Sequence, residues 1–275
     1  MPTRSLETPT DAKRILVVSD LHITKSDSPL YRNFIDFLKK EFQNHKKAGA
    51  DHELWLLGDI FDFMVGPFDF WLKIYSEFFI ELTRLLNSGV RILWIQGNHD
   101  FFIEGLENKL PKGIFIRDDF MNIEIVGFGR CFLAHGDLVD LKDRKYQRWR
   151  AITRKPLLRA ALSCLPQWLV LKYFLPFGQN LSQKSRKKSQ NWESNSQFIA
   201  GNKELFREFS REKWSAGFRG VFLGHNHISD QYTERNHFLL NCGSSFEFRD
   251  GRFSFFDWNL ETGELPRRVI WRPSP

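Results

Sequence analysis

The 275-residue sequence predicts an α/β fold on three observations. Apolar, β-branched runs alternate with amphipathic stretches of helical length. The order is strand, helix, strand, helix, strand, and each strand run ends in a polar cluster. Right-handed crossovers make such strands parallel. Residues 14–19 (RILVVS) form a continuous apolar strand of the kind covered on both faces. Residues 30–47 are an amphipathic helix, with Phe34, Ile35, Phe37, Leu38 and Phe42 on one side. Residues 53–57 make a second strand, and residues 69–87 a second helix stopped by Ser88-Gly89. Residues 90–95 (VRILWI) make the third strand.

Residues 141–196 break this rhythm. They offer helical pieces punctuated by Pro156, Pro166 and Pro176, each too short to stand alone. The α/β pattern returns with a helix near residues 201–213 and a strand at 220–223. From Ser229 onward, alternating segments with turns at Glu234-Arg235-Asn236, Asp250-Gly251 and Glu261-Thr262-Gly263 predict antiparallel strands. The polar residues 1–13 read as a flexible tail. Residues 14–140 and 197–275 then form the body, and 141–196 a helical insertion.

Composition narrows the class. With 42% hydrophobic and 27% charged residues, the chain is not disordered. Cys131, Cys164 and Cys242 form no C-x-x-C pair, which predicts reduced thiols in a cytosolic protein. The tail has no apolar signal core. The most apolar run, 157–177, carries Arg159, Lys172, Pro166 and Pro176, so it is no bilayer span. The net charge of +7 is unevenly spread. Residues 142–188 hold thirteen Lys/Arg against the single acid Asp143, a balance of +12, while the other 228 residues sum to −5. Trp149, Leu157, Leu158, Trp168 and further apolar residues interleave with those charges. Such a cap suits an anionic membrane surface or acyl chains. The competing reading is a lid with its own core and a solvated basic face. The 28 Phe are spread mainly through the body and read as core.

Chemistry concentrates in five clusters, each just beyond an apolar run: Asp20-Leu21-His22, Gly58-Asp59, Gly97-Asn98-His99-Asp100, Ala134-His135-Gly136-Asp137 and Gly224-His225-Asn226-His227. They hold five of the eight histidines. Ligands of open α/β sheets gather at the carboxyl ends of strands. Mixed imidazole and carboxylate suits Mn, Fe or Zn better than Ca or a thiolate site. The i, i+2 spacing of D-x-H and H-x-H places both side chains on one side of an extended segment. Taken singly, a histidine at a strand end is more often a hydrogen-bonded residue than a ligand, and a lone Asp or Asn more often a cap. The joint occurrence carries the metal-site reading.

The pattern D-x-H, GD, GNHD, H, GHxH resembles the calcineurin-like metallophosphoesterases. That resemblance implies a four-layer α-β-β-α sandwich and two divalent ions, with Mn²⁺ the metal expected. It implies Asp20, His22, Asp59 and His227 on one ion, and Asp59, Asn98, His135 and His225 on the other, with Asp59 bridging. His99 would stand beside the substrate phosphate, oriented by Asp100, and a hydroxide bridging the ions would attack phosphorus. The chain more specifically resembles the UDP-2,3-diacylglucosamine diphosphatases of lipid A synthesis. The likeness runs through S-D-L-H, G-D-I-F-D, G-N-H-D-F and H-G-D, then Asp143 and Tyr146. It continues into a long helical insertion with a Ser/Lys/Asn-rich end at 179–196. It implies hydrolysis of a nucleotide-linked glycolipid to UMP and 2,3-diacylglucosamine 1-phosphate, at the cytoplasmic face of the inner membrane. Asp143 and Tyr146 would meet the sugar or base, and Lys184, Arg186 or Lys187 the diphosphate. One departure stands out: the enterobacterial type resembles G-N-R-D where this chain has His99. The alternatives are a phosphoesterase of nucleotides or nucleic acid, disfavoured by the aliphatic character of the basic segment, and a metal-dead interaction scaffold, disfavoured by intact motifs.

Overall fold

Strand β1 (Arg14–Val18) shows how the layers arise, because its side chains alternate between two cores. Leu16 and Val18 enter one core, Ile15 and Val17 the other. Strands β2 (His52–Leu57) and β4 (Arg91–Ile95) repeat the division: Leu54, Leu56, Ile92 and Trp94 face the first core, Trp55, Leu57, Leu93 and Ile95 the second. The structure is a computed structural model that describes residues 9–48, 51–66, 68–170, 172, 195–248 and 250–272.

With β6 (Ile114–Arg117), β12 (Phe253–Asn259) and β13 (Arg267–Trp271), these strands make a six-stranded sheet of order β13-β12-β1-β2-β4-β6. The four strands from β1 to β6 are mutually parallel, as the crossover rule predicts. A second sheet joins β7 (Phe120–Ile125), β8 (Gly129–Ala134), β9 (Gly220–Leu223), β10 (Asp230–Glu234) and β11 (His237–Asn241) in the order β10-β11-β9-β8-β7. A two-residue pair, β3 (Met64–Val65) with β5 (Asp100–Phe101), lies apart from both.

Helices α1 (Pro29–Ala48), α2 (Asp69–Ile74) and α3 (Ser76–Asn87) cover the outer face of the first sheet. The inner faces of the two sheets close on each other through residues such as Trp55, Leu93, Ile123, Leu133, Phe222 and Trp258. Helix α6 (Ser196–Ser215) covers the second sheet through Phe206 and Trp214. Three interleaved cores therefore separate four layers, α-β-β-α. Within the insertion, α4 (Arg144–Thr153) and α5 (Pro156–Cys164) follow each other, the second opening on its proline at N1. Pro166 precedes a short helical turn, Gln167–Leu169; Pro176 lies outside the described residues.

Three local expectations need correction. The helix anticipated over 69–87 is broken at Tyr75 (φ −111°, ψ 41°). The Tyr75 ring is buried against Phe61, with centroids 4.2 Å apart. The Phe78 N–H beside the break donates to the Tyr31 hydroxyl (3.0 Å). Tertiary packing outweighs helix propensity here. Second, part of the tail belongs to the body: Thr10 N–H donates to the Glu124 carbonyl (2.8 Å), and Ala12 lies between the sheets. Third, the C-terminal strands form hairpins, but the hairpins join different sheets, and β11 runs parallel to its neighbour β9.

Candidate metal centre

All five clusters lie where a strand ends. Asp20 and His22 follow β1, Asp59 follows β2, Asn98 and His99 follow β4, His135 follows β8, and His225 and His227 follow β9. The D-x-H and H-x-H pairs do not converge by extended alternation, as the spacing suggested. Asp20 and His22 (each φ 51°), Asp59 (53°), His225 (72°) and His227 (59°) all adopt left-handed backbone. They are five of the seven non-glycine residues with positive φ among the described residues. Each such residue costs on the order of 1–3 kcal/mol and persists only where its surroundings over-determine it. Here neighbouring loops supply that constraint, with His22 N–H donating to the Asp59 carbonyl (2.9 Å) and Asp20 N–H to the Gly58 carbonyl (3.1 Å). Gly97 is required for a different reason: a Cβ there would collide with the Asp59 carboxylate.

The donors converge on Asp59. Its Oδ2 lies 3.7 Å from His22 Nε2, 3.5 Å from His135 Nε2 and 4.0 Å from His99 Nε2. On one side of it, Asp20 Oδ1 is 3.7 Å from His227 Nε2, which stands 3.0 Å from His22 Nε2. On the other, Asn98 Oδ1 is 3.1 Å from His135 Nε2 and 2.9 Å from His225 Nδ1. Asp20, His22, Asp59 and His135 are all buried.

Electrostatics say what such a site lacks. His135 Nδ1–H donates to the Leu57 carbonyl (2.8 Å), which leaves its Nε2 facing Asp59 and Asn98. A ring fixed in this way through its second nitrogen is characteristic of metal-ligating histidine. Burial alone would lower the His135 pKa, but the Asp59 charge and hydrogen bond lift it to about 10. Burial would likewise raise Asp59, yet His135, His99 and His22 hold it well below the usual carboxylate range. His225 is driven down to about 3, by burial first and then by the charge of His135. The pocket therefore calls for positive charge and has too few protons to share it among facing imidazoles. Divalent cations satisfy both conditions, and this donor set fits them.

Other expected residues fall elsewhere. Asp100 does not reach toward the site. Its oxygens accept the backbone N–H groups of Gly97 (2.7 Å), Asp59 (2.9 Å) and Ile60 (2.8 Å), so it braces two of the loops from behind. Burial and then the Asp59 charge raise its pKa to about 7, against those hydrogen bonds. His99 is instead held by the carbonyl of Asp62, which accepts from its Nδ1 (2.9 Å). Asp62 is buried, and its carboxylate also stands 3.8 Å from His22 Nδ1; within G-D-I-F-D it was visible but had no assigned part. Asp143 caps α4, accepting from Tyr146 N–H (2.9 Å), which gives its carboxylate a structural task. The Tyr146 ring lies 5.8 Å from that of His225, and its hydroxyl donates to Asp137 (2.5 Å). Lys184, Arg186 and Lys187 lie outside the described residues.

Comparison with known proteins gives the family. Residues 13–229 match the sequence model of the calcineurin-like phosphoesterases, and the chain belongs to that family. It is 33% identical over 160 residues to a UDP-2,3-diacylglucosamine hydrolase of Vibrio vulnificus (strain YJ016), covering 57% of this chain and 60% of the relative. The chain thus spans about three-fifths of that relative's length. A relative of the same name from Aliivibrio fischeri (strain MJ11) is 28% identical over 222 residues, covering 80% of this chain and 83% of its own. Among solved structures, a novel archaeal phosphodiesterase superposes with a TM-score of 0.45 at 13% identity, covering 94% of this chain and 99% of that one. The chain is thus a calcineurin-like phosphoesterase by family, with a donor set that suits divalent cations.

Proposed function

We propose that this chain hydrolyses the pyrophosphate of UDP-2,3-diacylglucosamine, releasing UMP and 2,3-diacylglucosamine 1-phosphate. One observation carries the choice of a lipid substrate. Leu141, Trp149, Ile152, Leu157, Leu158 and Trp168 are six of the ten exposed large apolar side chains among the described residues, and all lie in the insertion beside the metal loops. Exposed apolar area concentrated at a site marks a binding surface. The names of the curated relatives point to the same substrate class.

In this reading Asp20, His22, Asp59 and His227 hold one divalent ion, and Asp59, Asn98, His135 and His225 the other, with Mn²⁺ the expected metal. When bound, the pair supplies charge to draw on the phosphoryl oxygens and acidifies water. Water adds to the α-phosphorus, the bond from that phosphorus to the bridging oxygen breaks, and the glycolipid leaves as its 1-phosphate. His99 sits at the rim, with a side chain 16% exposed and Nδ1–H committed to the Asp62 carbonyl. Its Nε2 is then the nitrogen that can carry a proton to the departing oxygen. The apolar side chains of the insertion seat the acyl chains, and its basic residues face an anionic membrane at the cytoplasmic surface. No described helix is long and apolar enough to cross a membrane.

The test compares Mn²⁺-loaded full-length chain on UDP-2,3-diacylglucosamine, bis(p-nitrophenyl) phosphate and short DNA. The proposal expects UMP from the lipid substrate at a kcat/KM well above that for either alternative. Rapid cleavage of the generic diester or DNA with no turnover of the lipid would refute it.

A further inference from the structure

Helix α4 is the first element of the insertion, and it has no buried residue. It is held by a polar stripe instead. Tyr146, Arg150 and Arg154 stand at i, i+4 and i+8, on one face of the helix. The Tyr146 hydroxyl donates to Asp137 Oδ2 (2.5 Å), two residues beyond His135. Arg150 Nε donates to the same oxygen (2.7 Å), and its Nη2 to Asp119 (2.7 Å). Arg154, the C-cap of α4, donates from Nη2 to the carbonyl of Gly97 (2.9 Å), the residue before Asn98. Its Nη1 pairs with Asp118, and its guanidinium covers the Phe101 ring, 5.0 Å from the centroid. All three side chains thus bond to loops that carry metal donors or to residues flanking those loops.

Gly97 is the most constrained point of contact. Its N–H donates to Asp100 (2.7 Å), its Cα lies against the Asp59 carboxylate, and its carbonyl is taken by Arg154. The peptide unit is planar, so fixing the Gly97 carbonyl fixes the direction in which the chain leaves for Asn98. Asn98 is in turn the side chain that His135 and His225 both meet.

From this geometry we infer that Arg154 is a positioning residue that couples the seating of the insertion to the Asn98 side of the metal centre. Seating of α4 and occupancy of the Asn98–His135–His225 cation site then reinforce each other, because such coupling is reciprocal. The inference rests on the two-cation reading above and is independent of the lipid.

The test is a calorimetric titration of Mn²⁺ into metal-free full-length chain, with thermal melts as the check on folding. Wild type takes up two equivalents. Arg154→Ala binds the first as wild type does and the second about 10- to 100-fold more weakly, the usual effect of removing a group that orients a ligand. Arg154→Lys, which keeps one donor for the carbonyl, recovers part of that loss. Lys155→Ala, which removes an equal charge one residue away, changes neither. Unaltered binding in Arg154→Ala, or equal weakening of both equivalents, overturns the inference and leaves the two-cation reading standing. Fewer than two equivalents in wild type overturns that reading itself. Should Arg154→Ala fail to fold, Asp118→Asn loosens the same guanidinium and is judged by the same outcomes.

Discussion

In the body, Trp55 and Trp258 are fully buried between the two sheets and Trp94 between the first sheet and its helices. In the insertion, α4 buries nothing, and Trp149 and Trp168 stand 44% and 61% exposed. The charge divides along the same line, −5 over 228 residues against +12 over residues 142–188. Apolar burial, about 25 cal/mol per Å², fixes the first region; in the second, directional ion pairs of Arg150, Arg154 and Arg159 hold α4 and α5, and Val170 adds a single buried apolar anchor among the described residues. The body can therefore hold five donor residues in left-handed backbone, while the insertion keeps its apolar surface available.

The largest expected effect breaks the body side of this comparison. Asp59→Ala should reduce turnover of every phosphoester on the order of 10³-fold in Mn²⁺ assays, with far-UV circular dichroism unchanged. Retained activity would show that Asp59 does not link the two donor groups. Next comes stability. In urea denaturation, Trp55→Ala should cost about 3–5 kcal/mol, and Leu157→Ala, at 84% exposure, within about 0.5 kcal/mol. Equal costs would mean that the insertion also has a load-carrying core.

The loops of the candidate metal centre were legible in the sequence because their donors lie one to four residues beyond strand ends, where the chain must leave the sheet. The part the resemblance gives Asp100, orienting His99, says nothing of the backbone amides of Gly97, Asp59 and Ile60 that its carboxylate accepts, because two of those three lie about 40 residues away. Arg154 was not legible at all. Nothing local separates it from the twelve other basic residues of the segment, and its partner Gly97 lies 57 residues away. The break at Tyr75 was hidden for a similar reason, since Phe61 and Tyr31 decide it from distant parts of the chain. The strands β6, β7 and β8 add to those expected, although the alternation of Met121, Ile123 and Ile125 was there to be seen.

Two smaller effects sharpen the contrast. If the +12 segment faces an anionic surface, the chain should sediment with phosphatidylglycerol vesicles and release as NaCl rises, since each basic residue near the surface contributes about 1 kcal/mol. Binding that ignores salt would exclude an electrostatic surface. The smallest effect tests the body far from the site. Burial, then the charges of His45 and Arg14, lower His52 from the ordinary 6.5 to about 4. A depressed folded value means that its contribution is full above about pH 6.5 and is lost as pH falls toward 4. His52→Gln should therefore flatten acid destabilisation in that window by at most about 1 kcal/mol, given partial solvent screening. An unchanged pH profile would remove His52 from the account.

The division of labour between body and insertion is tested most directly by one ratio. It is kcat/KM for UDP-2,3-diacylglucosamine divided by that for bis(p-nitrophenyl) phosphate, measured in wild type and in the Leu157→Glu/Trp168→Glu double variant. The account predicts that the ratio falls tenfold or more, on the order of 1.4 kcal/mol per decade, while turnover of the small diester is unchanged. A ratio that stays constant would contradict it.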